Sequence, residues 1–102
     1  MRTNIVVIED DNDSIDVLRY FLEKENYCVH VARDGLEGLK LAEKVVPNLI
    51  LLDLTLPKLE GWEVCMRLKA DDRLFSIPVI MLTAKGEEGD KIRGLEIGAT
   101  DY

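Results

Sequence analysis

The sequence has few of the residues that mark secreted, membrane or nucleic-acid-binding proteins. Its 102 residues include two cysteines and one histidine, and 13 basic residues stand against 20 acidic ones, for a net charge of -7. Cys28 and Cys65 lack metal-like spacing and are predicted to be packing residues in a reducing compartment. The excess of acidic over basic residues argues against nucleic-acid binding by this domain. No apolar run approaches the roughly 20 residues needed to cross a membrane, and the start lacks a signal-peptide layout, so we expect a soluble cytoplasmic protein.

The sequence does have a regular alternation of short apolar runs and amphipathic stretches. The runs are typical of strands, at 5–8, 28–32, 49–52 and 79–82, and the stretches predict helices at about 12–25, 35–46, 61–70 and 87–97. Phe21 is predicted to face inward from the first helix and Leu36 from the second. This order predicts one α/β domain over residues 1–102, with right-handed crossovers and a parallel sheet.

Polar side chains stand where three of the apolar runs end. Glu9 and Asp10 follow the first run, Asp53 follows the third and Thr83 follows the fourth. The carboxyl ends of parallel strands meet at one edge of the sheet, where open α/β sheets bind ligands. Converging carboxylates repel each other unless a cation neutralises them, and Mg²⁺ binds one or two protein carboxylates while leaving positions for phosphate oxygens. A carboxylate beside Mg²⁺ can attack phosphorus, and a hydroxyl such as that of Thr83 can hydrogen-bond the transferred group.

Each of these residues also has a plainer explanation. Asp10, like Asp11 and Asp13, could cap a helix or lie in a solvated loop, and Thr83 could be a turn hydroxyl. Asp53 is harder to explain in this way, because an acid that closes a fully apolar strand is costly unless it has a partner or lies at an exposed edge. The coincidence of polar residues at three strand ends favours a functional site.

Four segments of the chain together resemble a known family. The segments IVVIEDD, LILLDLTLPKLEGWEV, IPVIMLTA and GLEIGATDY resemble the receiver domain of two-component response regulators, particularly the transcription-factor group related to the phosphate and osmotic regulators. The resemblance implies a flavodoxin-like, doubly wound parallel sheet with strand order 2-1-3-4-5. It also implies a signalling module, not an enzyme, that is phosphorylated by a sensor histidine kinase or a phosphotransfer protein.

The resemblance also assigns roles to individual residues. Asp53 matches the phosphoacceptor, Asp10 a direct Mg²⁺ ligand and Glu9 its acidic neighbour. Thr55 would supply a backbone carbonyl to the same Mg²⁺. Two further residues match the conformational switch, namely Thr83 as the hydroxyl and Tyr102 as the aromatic side chain.

One feature of the family pattern is missing from the sequence. The family has a lysine three positions after the switch aromatic, whereas this chain ends at Tyr102. We therefore expect a receiver truncated before its fifth strand and fifth helix, and a homo-oligomer formed through the exposed sheet edge or the last helix. An alternative function is a truncated fragment with impaired phosphorylation whose main behaviour is self-association or segment exchange. A dehalogenase-type phosphatase is disfavoured because that class needs a second acid where this chain has Thr55.

Overall fold

The computed structural model describes residues 2–53 and 61–82 of the chain. Strands and helices alternate through these residues, as β1 (Asn4–Ile8), α1 (Asn12–Lys24), β2 (Cys28–Ala32), α2 (Gly35–Val45), β3 (Leu49–Asp53), α3 (Gly61–Lys69) and β4 (Val79–Leu82). All three strand pairs are parallel, and the order across the sheet is β2-β1-β3-β4. This is the predicted α/β flavodoxin-like arrangement. The predicted helix at 87–97 lies outside the described residues.

The sheet is buried on both faces because its two central strands are apolar except for Asn4 at the start of β1 and Asp53 at the end of β3. Val6 and Ile8 of β1 pack on the face that carries α2 and α3, whereas Ile5 and Val7 pack on the α1 face. All four side chains have at most 2% of their surface exposed, and each contributes about 1.5–3 kcal/mol relative to an exposed position. The central strands therefore form a rigid base for the residues that follow them.

Two aspartates set where the first two helices begin. Asp11 caps α1 by accepting hydrogen bonds from the Ser14 backbone N–H at 2.9 Å and the Ser14 hydroxyl at 2.7 Å. Asp34 caps α2 in the same way, accepting from the Glu37 backbone N–H at 2.8 Å. Each helix begins within four residues of the preceding strand, so the chain turns sharply at the carboxyl edge of the sheet. Among the described residues, no helix is long and apolar enough to span a membrane.

The inward positions predicted for Phe21 and Leu36 are wrong. Phe21 is 60% exposed and Leu36 is 44% exposed. With about 100° per residue, Phe21 lies roughly 60° outside the arc of Ile15, Leu18 and Leu22. Leu36 is exposed for a similar reason, because the residues that α2 turns toward the sheet are small ones on another side of the helix. The helices contact the sheet through narrower stripes than their apolar patterns suggest.

A glycine allows α2 to approach β1 closely. A methyl group added at Gly38 would lie 2.6 Å from Ile8 Cδ1 and 2.9 Å from both Ile8 γ-carbons. Gly38→Ala is expected to lower the free energy of unfolding by up to about 2 kcal/mol, because overpacking costs about 1–3 kcal/mol and the gain in helix propensity recovers only about 1 kcal/mol. Urea denaturation of the variant and the wild type measures this difference.

A second substitution separates overpacking from other effects at Gly38. Ile8→Val removes the methyl group nearest to the added one and alone costs about 0.5–1.5 kcal/mol. The double variant is expected to be more stable than the sum of the two single effects predicts, because the two side chains share one space. Additive effects would show that contact with Ile8 is not the reason why position 38 requires glycine.

Candidate metal centre

Three carboxylates meet where the two central strands end. Glu9 and Asp10 directly follow β1, and Asp53 is the last residue of β3. The strands are neighbours with Ile8 opposite Leu52, so the residues after these positions come side by side. One carboxylate oxygen from each of Glu9, Asp10 and Asp53 lies within 4.8 Å of those from the other two. We refer to these three residues as the acidic trio.

The members of the acidic trio differ in burial. Asp10 is exposed and Asp53 is half-buried, whereas Glu9 retains only 7% of its surface exposed. The backbone N–H of Glu9 donates to the Ala32 carbonyl at 2.9 Å, which attaches this residue to β2. Its Oε1 atom accepts a hydrogen bond from the Asp11 backbone N–H at 3.1 Å. Glu9 is thus fixed through both its backbone and its side chain.

The environment of Glu9 favours its neutral form. Burial is the main cause that raises its pKa, to about 7, against the opposing hydrogen bond from the Asp11 N–H. The charge of Asp53, a side-chain hydrogen bond with Asp53 and the charge of Asp10 raise this pKa further. Near neutral pH the acidic trio therefore either keeps a proton or gains from a bound cation.

The ligand atoms of the acidic trio suit a hard divalent ion. All three side chains offer carboxylate oxygens, which Mg²⁺ and Ca²⁺ prefer over nitrogen and sulfur. One buried, one half-buried and one exposed carboxylate leave the outer side of the cluster open to solvent and to a phosphate group. The residues present therefore fit Mg²⁺ in both donor type and charge.

The other residues assigned by resemblance lie outside the described part of the chain. Thr55 falls in 54–60, and Thr83 and Tyr102 fall in 83–102. The side chain of Asp11 caps α1, as the sequence predicted it could. Sequence reasoning missed that its backbone N–H holds Glu9, because every residue except proline carries such a group and the sequence gives no signal for its use.

The chain is similar to regulators and receiver domains from several bacteria. The alkaline phosphatase synthesis transcriptional regulatory protein PhoP of Bacillus subtilis is 49% identical over 102 residues, covering all of this chain and 42% of that protein. The chain thus spans about two fifths of the length of this curated relative. A crystal structure of a response regulator from Chloroflexus aurantiacus superposes with a TM-score of 0.95 at 31% identity, covering 100% of this chain and 84% of the other.

A third similarity concerns a structure with a metal ion. The receiver domain of the sensor histidine kinase PA1611 of Pseudomonas aeruginosa, with a magnesium ion coordinated in its active site cleft, has a TM-score of 0.91 at 29% identity and covers 100% of this chain and 84% of its own. The family model for the response regulator receiver domain matches residues 5–102. This chain therefore belongs to the response regulator receiver domain family.

Proposed function

We propose that this domain is the receiver of a two-component signalling system and accepts a phosphoryl group on Asp53. The observation that carries the proposal is the acidic trio at the carboxyl edge of a parallel sheet. The Mg²⁺ described for the similar Pseudomonas aeruginosa receiver supports the same chemistry. The donor is a sensor histidine kinase or a phosphotransfer protein in the cytoplasm.

In this proposal Mg²⁺ is held by Glu9, Asp10 and Asp53, with the backbone carbonyl of Thr55 as a further ligand. When bound, Mg²⁺ offsets the negative charge of the carboxylates and of the phosphoryl oxygens. Glu9 is held in place by the Asp11 N–H, so this buried ligand would be positioned before the ion binds. Asp10 is the most exposed carboxylate of the three and provides negative charge at the entrance.

Asp53 performs the chemical step in the proposed function. A carboxylate oxygen of Asp53 attacks the phosphorus atom of a phosphohistidine in line with the bond to nitrogen. The O–P bond forms as the N–P bond breaks, and the imidazole leaves and takes up a proton. Thr83 and Tyr102 are proposed as the residues through which phosphorylation shifts the domain between two conformations.

Phosphorylation by a small-molecule donor tests the proposal. Incubating the protein with acetyl phosphate and Mg²⁺ is expected to add the mass of one phosphoryl group, because a carboxylate beside Mg²⁺ is a competent nucleophile. Intact-mass spectrometry measures the gain, and reduction with borohydride locates it on the peptide that contains Asp53. No gain, or a gain of equal size in EDTA, would contradict the proposed function.

Self-association through the β4 edge or the last helix is a further part of the proposal. Within the described residues β4 pairs only with β3, and Ile80 and Leu82 are only partly buried on the α1 face. Apolar side chains beside a strand edge favour association between chains. Sedimentation velocity at rising concentration is expected to show an oligomer. A single monomeric species at high micromolar concentration would disprove it.

A further inference from the structure

A second group of potential metal ligands lies at the opposite edge of the sheet from the acidic trio. Cys28 opens β2 and pairs with Asn4, which opens β1. The Cys28 Sγ atom lies 3.6 Å from His30 Nε2, and the same nitrogen lies 3.1 Å from Asn4 Oδ1. Both contacts are side-chain hydrogen bonds, so a sulfur atom and an amide oxygen lie against the same imidazole nitrogen. We refer to Asn4, Cys28 and His30 as the amino-edge cluster.

The parallel register places all three side chains on one face of the sheet. Cys28 and His30 are two residues apart on β2, and successive side chains of a strand alternate between faces. Asn4 and Val6 are their partners on β1, and Val6 packs on the face that carries α2. All three members of the cluster are half-buried, so solvent can reach them without a change in the fold.

Asn4 is held in place by the chain segment that follows α2. Its backbone N–H donates to Asn48 Oδ1 at 2.8 Å, and its carbonyl accepts from the Asn48 N–H at 2.8 Å. These two hydrogen bonds fix the backbone of Asn4 at the start of β1, and with it the position from which its side chain reaches His30.

The distances within the amino-edge cluster match those of a tetrahedral metal site. Zn²⁺ lies about 2.3 Å from a cysteine sulfur and about 2.0 Å from a histidine nitrogen. At these distances the two ligand atoms, 3.6 Å apart, would form an angle of about 110° at the ion. With the amide oxygen of Asn4 at the distance that carboxylate oxygens keep from Zn²⁺, about 2.0–2.2 Å, the angle across the 3.1 Å separation would be about 100°. Both angles are close to the tetrahedral value that Zn²⁺ adopts in proteins.

We propose that Asn4, Cys28 and His30 bind a single Zn²⁺ ion or a similar transition-metal ion, with water in the fourth position. The site is separate from the acidic trio and does not depend on the proposed phosphorylation. The two sites differ in chemistry, because thiolate and imidazole select Zn²⁺ whereas a cluster of carboxylates suits Mg²⁺. Cys28 then has a role beyond packing, unlike Cys65, which is fully buried in the core.

Protection of Cys28 from alkylation tests the proposal on the unmodified protein. Iodoacetamide labelling is measured by peptide mass spectrometry, with Mg²⁺ in excess to occupy the acidic trio and with or without stoichiometric Zn²⁺. Zn²⁺ is expected to slow labelling of Cys28 at least about tenfold, because a metal-bound thiolate is unavailable to the reagent. Cys65 serves as the internal control, since its burial keeps it unreactive in both samples. Equal labelling rates for Cys28 would overturn the proposal.

Variants of the two strongest ligands provide a second test. Calorimetric titration with Zn²⁺ in excess Mg²⁺ is expected to show one site per wild-type chain. The affinity should fall at least about tenfold in His30→Gln and further in Cys28→Ser, because each removes a ligand. Asp53→Asn is the matched control and should bind Zn²⁺ like the wild type. Unchanged Zn²⁺ binding by Cys28→Ser would overturn the proposal. If that variant does not fold, the alkylation experiment on the wild-type protein is the deciding test.

Discussion

Asp53→Asn is expected to abolish the response of Trp62 fluorescence to beryllofluoride and Mg²⁺. Beryllofluoride binds an aspartate carboxylate as a phosphoryl analogue, and the asparagine amide lacks the charged oxygen that this bond requires. Trp62 is the only tryptophan in the chain, and its ring is buried in the same core cluster as Leu52, the residue before Asp53. A change at Asp53 is therefore expected to reach the fluorophore. Titration of wild type and variant with Mg²⁺ and beryllofluoride, followed by emission, measures the effect.

The same substitution is expected to leave the domain folded. The charge of Asp53 and its hydrogen bond both raise the pKa of Glu9, which shows that the acidic trio is repulsive when fully ionised. Removing one charge from this cluster relieves the repulsion, so the variant should unfold at the same urea concentration as the wild type or a higher one. Loss of the fluorescence response then reports chemistry and not unfolding.

A control variant tests whether it matters where the charge is removed. Asp16 is exposed on α1 and is not part of the acidic trio, so Asp16→Asn removes the same charge at a distance from the site. This control variant should respond to beryllofluoride and Mg²⁺ like the wild type. A saturable response that persists in Asp53→Asn would show that another residue binds the analogue, and the proposed phosphoacceptor would be wrong.

The sequence was sufficient to predict the sheet because a strand buried on both faces needs a short run without polar residues. The runs at 5–8, 49–52 and 79–82 all became strands within one residue of these bounds. Helix faces were harder to predict, since the width of a contact stripe depends on what packs against it. Phe21 and Leu36 look apolar enough for a core, yet the sheet beneath α1 and α2 accommodates only the adjacent residues.

The convergence of Glu9, Asp10 and Asp53 followed from parallel topology, but the burial of each acid did not. Two adjacent acids are equivalent in a sequence, and only the turn between β1 and α1 directs Glu9 inward and Asp10 outward. The Asp11 N–H donates a hydrogen bond to the Glu9 side chain in this inward position. The amino-edge cluster was beyond sequence analysis for a similar reason. The spacing of Cys28 and His30 puts them on one face, but only the strand register brings Asn4 beside them.

The pKa of Glu9 leads to a second prediction, on the stability of the domain without divalent ions. Its pKa rises from an ordinary value of 4.5 to about 7 on folding, so the folded protein binds more protons than the unfolded chain between these values. The stabilisation is therefore complete below about pH 4.5 and is lost as the pH rises through about 7. We expect the free energy of unfolding in EDTA to fall by on the order of 1 to 3 kcal/mol over this range. Urea denaturation at several pH values measures it.

Glu9→Gln tests whether Glu9 causes this dependence of stability on pH. Glutamine keeps a carbonyl oxygen that can accept the Asp11 N–H, but it does not titrate, so the decline in stability between pH 4.5 and 7 should largely disappear. Asp13→Asn, which changes an exposed acid in the first turn of α1, should retain the decline. A decline of equal size in Glu9→Gln would show that other groups cause it.

Mg²⁺ binding should have the opposite dependence on pH. The ion competes with the proton on Glu9, and a group with a pKa of about 7 is about one tenth ionised at pH 6 and about nine tenths ionised at pH 8. The affinity for Mg²⁺, measured by calorimetry, is therefore expected to rise about tenfold between these two pH values. In Glu9→Gln the affinity should be lower at pH 8 and nearly independent of pH, because no proton has to leave residue 9. A tenfold rise that persists in this variant would mean that Mg²⁺ binding is not linked to Glu9, and the acidic trio would then bind the ion through Asp10 and Asp53 alone.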